Sequence, residues 1–80
     1  MPSSIAVRAA EAVQRLVRDV PDHPEPGVLF KDITPLLADA DGFAAIVAAL
    51  AEAGREAAGG HVDKVVGMEA RGFILAAPIA

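Results

Sequence analysis

The sequence predicts an α/β protein in which helices flank a parallel sheet. Two stretches repeat apolar residues at helical spacing, one near the amino terminus and one in the middle of the chain. A short apolar run bounded by glycine and charged residues follows the second stretch, which is the pattern of a buried parallel strand. Another apolar segment then begins a third helix. The succession of helix, strand and helix is typical of a parallel α/β sheet.

Residues 1–20 are predicted to be an amino-terminal helical segment, in which the helix itself covers about 4–18. Ser3 and Ser4 are suitable N-cap residues. Pro21 ends the segment, because proline disfavours helical backbone at the residue before it. The apolar face of this helix consists of Ile5, Ala9, Ala12, Val13, Leu16 and Val17.

Residues 21–38 are predicted to be a stiff surface loop that leads into a short apolar segment. Three prolines and one glycine fall within residues 21–27, a density that neither a helix nor a central strand tolerates. A flexible linker would continue into polar residues, but an apolar run, 28–33, follows at once. We therefore expect this segment to form a positioned surface.

Residues 39–60 are predicted to contain the second helix, at about 41–58. Asp39 and Asp41 are suitable capping residues at its start, and consecutive glycines end it. Its apolar face consists of Phe43, Ile46, Val47, Leu50 and Ala51.

Residues 61–80 are predicted to contain a strand at about 64–68, a loop at 69–72, and the start of the third helix at residue 73. Ligands of α/β sheets bind beyond the carboxyl ends of the strands, and a helix amino terminus offers N–H groups to phosphate. The guanidinium of Arg71 is a cationic donor whose forked geometry matches phosphate oxygens, and Gly72 lets a ligand or the backbone approach closely. These residues predict an anion-binding loop, although a solvated or paired surface set of Glu69 and Arg71 explains them equally well.

The composition excludes several classes of protein. The chain has no cysteine, which excludes disulfide frameworks and thiolate metal sites. The two histidines, His23 and His61, are far apart in sequence and cannot form a zinc site alone. A net charge of −4 argues against a binder of nucleic acid or anionic membrane that relies on a basic surface. We expect a cytoplasmic protein without a nucleic-acid or membrane partner, since no apolar run approaches the ~20 residues of a membrane span.

Two motifs in the chain resemble those of the adenine phosphoribosyltransferase family. Residues 20–37, VPDHPEPGVLFKDITPLL, are similar to the amino-terminal signature of the family. Residues 65–75, VVGMEARGFIL, are similar to its pyrophosphate loop and the strand before it. The spacing between the motifs also fits, and the resemblance covers about residues 13–80. It implies the amino-terminal part of a single type I phosphoribosyltransferase domain, an incomplete parallel sheet flanked by helices.

The resemblance implies transfer of a 5-phosphoribosyl group from phosphoribosyl diphosphate, bound with Mg²⁺, to adenine. The products are AMP and diphosphate, in purine salvage, and the family typically forms homodimers. By the same resemblance, the residues of the hood that contact adenine are Leu29, Phe30 and Lys31. The residues that hold the diphosphate are Glu69, Ala70, Arg71 and Gly72. The Glu69–Ala70 peptide bond is typically cis in this family, and we expect no catalytic or metal-ligating residue within this chain.

The chain also departs from the family pattern. His23 stands where a phenylalanine is usual, and Ala76 stands where glycine is common. The acid-acid dipeptide and Thr/Gly-rich loop that bind the ribose 5-phosphate do not occur in the 80 residues. We therefore expect the chain alone to be inactive. Two alternatives stay open: a non-catalytic regulator of the same fold that binds purine and phosphoribosyl diphosphate, and a helical interaction module.

Overall fold

The computed structural model describes residues 3–80, so residues 1 and 2 of the predicted amino-terminal segment lie outside the described residues. Six elements follow in chain order: α1 (Ser4–Leu16), β1 (Arg18–Pro21), β2 (Leu29–Asp32), α2 (Thr34–Ala38), α3 (Ala40–Ala57) and α4 (Arg71–Ile79). None of the helices within residues 3–80 combines the length and the apolar character that a membrane crossing requires.

The first helix, α1, begins and ends for local reasons. The Ser3 hydroxyl accepts a hydrogen bond from the Ala6 N–H at 3.0 Å, which confirms the predicted N-cap. The helix ends at Leu16 because Val17 adopts an extended backbone, with φ −73° and ψ 127°. The prediction of helix up to residue 18 is therefore two residues too long. Residues 18–21 instead form β1, because they pair with a segment beyond the proline-rich loop.

The strands β1 and β2 form an antiparallel pair, which is the sheet found within residues 3–80. The proline-rich connection closes this hairpin. Asp22 Oδ1 accepts a hydrogen bond from the Gly27 N–H at 2.9 Å, and the His23 N–H donates to the Val28 carbonyl at 3.1 Å. Gly27 has a φ of 88°, a left-handed conformation that glycine adopts without strain. The segment 21–38, predicted as a loop, thus also contains β2 and the short helix α2.

Two cross-strand ion pairs fix the register of the hairpin. Arg18 lies opposite Asp32, and the guanidinium and carboxylate are 2.9 Å apart. Lys31 lies opposite Asp19, and its ammonium is 2.6 Å from the carboxylate. Opposite charges at directly facing positions stabilise an antiparallel pair.

The core lies where α1, α2 and α3 meet. Its buried residues are Ala12, Leu36 and Gly42. A Cβ added at Gly42 would lie 2.6 Å from the Leu16 Cδ1 atom, so α1 and α3 pack closely at this point. The predicted cap is confirmed, since Asp39 Oδ2 accepts a hydrogen bond from the Gly42 N–H at 2.8 Å. The second predicted helix, 41–58, differs from α3 by one residue at each end.

The predicted strand at 64–68 is not formed, and with it the predicted parallel sheet is absent from residues 3–80. A strand requires a neighbour for its backbone N–H and C=O groups, and no strand within the described range pairs with this segment. The chain there keeps the alternation of a strand. Val66 and Met68 are 88% and 80% exposed, whereas Val65 is 37% exposed. The third predicted helix is confirmed as α4, which begins at Arg71, two residues before the predicted start at residue 73.

Candidate functional site

The predicted anion-binding loop, residues 69–72, joins the extended segment 64–68 to the first turn of α4. Arg71 and Gly72 are the first two residues of that helix, and Ala70 precedes it without a side-chain cap. The first backbone N–H groups of a helix have no carbonyl partner within the helix, and they carry the positive end of its dipole. The Glu69–Ala70 peptide bond is cis, as the family resemblance implies.

An open cleft of about 520 Å³ lies against this loop. All four predicted residues line it, together with the extended segment before the loop and the side chains of Leu75, Ala76 and Ile79 from α4. Glu69 and Arg71 are exposed. The ion pairs within residues 3–80 do not involve either side chain, so the interpretation that these two residues pair with each other is not supported. Arg71 thus lines the cleft and is exposed to solvent.

Backbone contacts hold the two ends of the loop together. A Cβ added at Gly67 would collide with the carbonyl oxygen of Gly72 and would lie 2.8 Å from the Cβ of Ala76. A Cβ added at Gly72 would lie 3.0 Å from the carbonyl carbon of Gly67. Ala76, where the family commonly has glycine, thus directs its methyl group toward residue 67.

The predicted adenine residues lie on β2 and divide between its two faces, because successive side chains of a strand alternate. Leu29 is 53% exposed, and Lys31 on the same face is held by its ion pair with Asp19. Phe30 is half-buried on the opposite face, where its ring meets the His23 ring edge to face at a centroid distance of 5.0 Å. His23, which stands where the family usually has phenylalanine, therefore packs as an aromatic ring against Phe30.

The two predicted sites do not share one cavity. The cleft beside the 69–72 loop is lined by the chain from residue 65 onward, and β2 contributes nothing to it. The structure therefore assembles the predicted diphosphate residues around one cleft and the predicted base residues on a separate hairpin.

Sequence reasoning missed two groups that organise the hairpin. Asp19 was not predicted to pair with Lys31, since its position opposite Lys31 depends on a strand pairing that the local pattern does not reveal. Asp32 accepts hydrogen bonds on Oδ1 from the Thr34 hydroxyl and N–H, at 2.6 and 2.9 Å. These hydrogen bonds, with a smaller contribution from Arg18, hold the pKa of the Asp32 carboxyl below its ordinary value. The signal in the sequence was Asp two residues before Thr-Pro, which is typical of a turn that starts a helix.

Metal ligands are sparse in the part of the chain that the structure describes. It contains no group of three or more His, Cys, Asp or Glu side chains arranged to hold a metal ion. Glu69 is the one carboxylate that lines the cleft beside the loop.

Comparison with known proteins identifies relatives of the chain, although no protein-family model matches it. An adenine phosphoribosyltransferase of Nocardioides sp. is 57% identical over 81 aligned residues, which are 100% of this chain and 43% of that protein. An adenine phosphoribosyltransferase of Streptomyces coelicolor is 68% identical over 65 residues, 80% of this chain and 34% of that protein.

Solved structures show the same fold. The crystal structure of adenine phosphoribosyltransferase from Saccharomyces cerevisiae, in complex with adenine and an imino-altritol bisphosphate, matches 94% of this chain and 44% of that chain. Its TM-score is 0.81 at 29% identity. The enzyme from Rhodothermus marinus matches 91% of this chain and 40% of that chain, with a TM-score of 0.70 at 42% identity. The described residues adopt part of the type I phosphoribosyltransferase fold, and the chain spans roughly two fifths of the length of these relatives. Sequence and fold agree that the chain belongs to the adenine phosphoribosyltransferase family.

Proposed function

We propose that the protein containing these residues transfers a 5-phosphoribosyl group from phosphoribosyl diphosphate to N9 of adenine, forming AMP and diphosphate. One observation carries the proposal. In a chain 57% identical to an adenine phosphoribosyltransferase, Arg71 and the first turn of α4 line a cleft that suits an anion. In this reading, residues 1–80 are the amino-terminal part of a single phosphoribosyltransferase domain.

The 69–72 loop is proposed to bind the diphosphate and to stabilise it as it leaves. When the bond from C1′ of the ribose to the diphosphate oxygen breaks, negative charge grows on the leaving group. The Arg71 guanidinium and the backbone N–H groups of Arg71 and Gly72 donate to that charge from fixed positions, which lowers the energy of the transition state. Mg²⁺, which the family resemblance implies is bound with phosphoribosyl diphosphate, would neutralise part of the diphosphate charge.

The base site is proposed to lie on β2, at Leu29, Phe30 and Lys31. The exposed Leu29 side chain offers an apolar surface to a flat purine, and β2 pairs with β1 along one edge, which leaves backbone groups on its other edge. Asp19 neutralises the Lys31 ammonium at 2.6 Å, so the lysine stem packs against the base beside a balanced charge. A neutral purine suits this surface.

The family resemblance also supports a homodimer that acts in the cytoplasm in purine salvage and AMP synthesis. No specific observation favours a non-catalytic binder of the same substrates over the enzyme.

Steady-state kinetics of AMP formation by the whole protein that contains these residues tests the proposal. Arg71→Ala is expected to raise the KM for phosphoribosyl diphosphate roughly 10- to 100-fold and to lower kcat, because a charged hydrogen bond to the leaving group is lost. The KM for adenine should change little. Arg55→Ala, which removes an exposed arginine from α3, is the matched control and should leave all constants unchanged.

Kinetic constants of Arg71→Ala equal to those of the parent protein would refute the assignment of the loop. The isolated 80-residue chain should form no AMP, because the ribose 5-phosphate motif of the family is not among its residues. AMP formation by the isolated chain above background would contradict that expectation.

A further inference from the structure

Two glycines meet where the extended segment enters the candidate diphosphate loop. A Cβ added at Gly67 would collide with the Gly72 carbonyl oxygen and would lie 2.8 Å from both the Gly72 carbonyl carbon and the Ala76 Cβ. The positive φ values among the glycines of residues 3–80 occur at positions 27, 59 and 60, so neither Gly67 nor Gly72 is required by its own backbone conformation. Glycine is needed at residue 67 because of what it touches.

The neighbours at Gly67 cannot rotate out of the way. Two of the three atoms that an added Cβ would meet belong to the backbone of the first turn of α4, and the third is an alanine methyl. At Gly54, in the last turn of α3, an added Cβ would meet nothing within 4 Å. Gly67 therefore permits a close backbone contact, whereas Gly54 faces open space.

The contact closes a short turn around the predicted site. Residues 68–71 lie between the two glycines, and they include Glu69, Ala70 and Arg71. When the ends of this turn touch through backbone atoms, the Arg71 guanidinium and the amides of the first helical turn keep a fixed relation to the extended segment. We propose that Gly67 is a positioning residue for the diphosphate site, because its missing side chain lets the extended segment lock the first turn of α4 in place. The inference rests on the proposed function of the loop.

The expected size of the effect follows from the geometry. Carbon atoms in ordinary contact are about 3.5–4.0 Å apart, so a methyl group at residue 67 would push the first turn of α4 away by roughly 1 Å. A misplacement of about 1 Å at a reacting group costs on the order of 100-fold in rate. The displacement falls on the groups that contact the diphosphate and spares the hairpin that carries the base residues.

A graded series in the whole protein tests the inference. The steric clash of the added methyl group is severe in Gly67→Ala. It is mild in Gly72→Ala, where the nearest atoms are 3.0 and 3.1 Å away, and absent in Gly54→Ala. The kcat/KM for phosphoribosyl diphosphate is expected to fall about 100-fold for Gly67→Ala and less for Gly72→Ala. It should be unchanged for Gly54→Ala, and the KM for adenine should be unchanged in all three. Gly67→Ala/Ala76→Gly, which removes one of the obstructing atoms, should recover part of the loss.

Calorimetric titration with inorganic diphosphate separates this inference from the proposed function. If the parent protein transfers no phosphoribosyl group but binds diphosphate, and Gly67→Ala weakens that binding, the positioning role stands and the function fails. If the parent protein is active, and Gly67→Ala has the same kcat/KM for phosphoribosyl diphosphate and the same affinity for diphosphate as the parent, the positioning role fails and the function stands. Equal losses of affinity for adenine and diphosphate would reveal a purely structural role and would also refute the inference. If Gly67→Ala loses its helical circular dichroism, Gly72→Ala decides, and parental values in that variant would refute the role.

Discussion

Asp32 is the residue whose electrostatics the structure defines most fully. Its Oδ1 accepts hydrogen bonds from the Thr34 hydroxyl and N–H, and its Oδ2 lies 2.9 Å from the Arg18 guanidinium. All three donors favour the charged carboxylate. The two from Thr34 join the end of β2 to the start of α2, and the one from Arg18 joins β2 to β1. The carboxylate thus links the hairpin to the helices.

The hydrogen bond from the Thr34 hydroxyl predicts a specific response to pH. Because the pKa of Asp32 is lower in the folded state than its ordinary value of 3.8, the carboxylate stabilises the fold above that pH. This contribution is lost as the pH falls through the lower, folded pKa. Thr34→Val should move the pKa of Asp32 upward, toward its ordinary value, whereas Thr34→Ser should retain the low pKa. NMR titration of the Asp32 carboxyl carbon in the whole protein measures both, and equal pKa values in Thr34→Val and the parent would contradict the assignment.

At the scale of elements, the helices were predictable because their signals are local. Ala12 of α1 is buried where α1 packs against α3, although Val13 and Leu50 of the predicted apolar faces are 43% and 46% exposed. Ser3 and Asp39 cap the two helices as predicted, and the predicted bounds were correct within one or two residues. β1 was missed because its partner, β2, lies beyond the proline-rich loop and the pairing depends on contacts distant in sequence. The 64–68 segment shows the opposite case, since its apolar run was recognised in the sequence but no strand within residues 3–80 pairs with it.

The candidate site was predictable to the same extent. Arg71 and Gly72 were identified because the residues that form an anion-binding helix amino terminus are consecutive in the sequence. The contact between Gly67 and Gly72 was not predicted, because a glycine in sequence does not show what approaches it. The pairing of Lys31 with Asp19 was hidden for the same reason as β1.

The packing of α1 against α3 predicts opposite effects for two glycine substitutions in one helix. Alanine favours a helix interior over glycine by about 1 kcal/mol, so Gly54→Ala, which meets open space, should raise the free energy of unfolding by up to that amount. Gly42→Ala would place its methyl group 2.6 Å from Leu16 Cδ1 and 3.1 Å from Leu36 Cδ1. Such overpacking costs about 1–3 kcal/mol, which outweighs the gain in helix propensity. Urea unfolding of the whole protein, followed by circular dichroism, measures both, and stabilisation by Gly42→Ala would disprove the close packing.

At the scale of the whole molecule, the balance between buried and exposed apolar surface predicts how the isolated chain behaves. Its buried hydrophobic residues are Ala12 and Leu36, whereas Val66, Met68 and Phe73 are 88%, 80% and 62% exposed. Val66 and Met68 are two residues apart in an extended segment, so their side chains point to the same side. Exposed apolar surface of this kind drives association in water.

We therefore expect the isolated chain to self-associate reversibly, with an average mass that rises with concentration in analytical ultracentrifugation. Val66→Lys/Met68→Lys should lower that association, because each lysine places a charge on the exposed face of the extended segment. Val7→Lys, which adds a charge at a 41% exposed valine of α1, is the control and should leave the association close to that of the parent chain. A parent chain that stays monomeric at every concentration, or equal suppression by the control, would show that the exposed face of residues 64–68 does not drive the association.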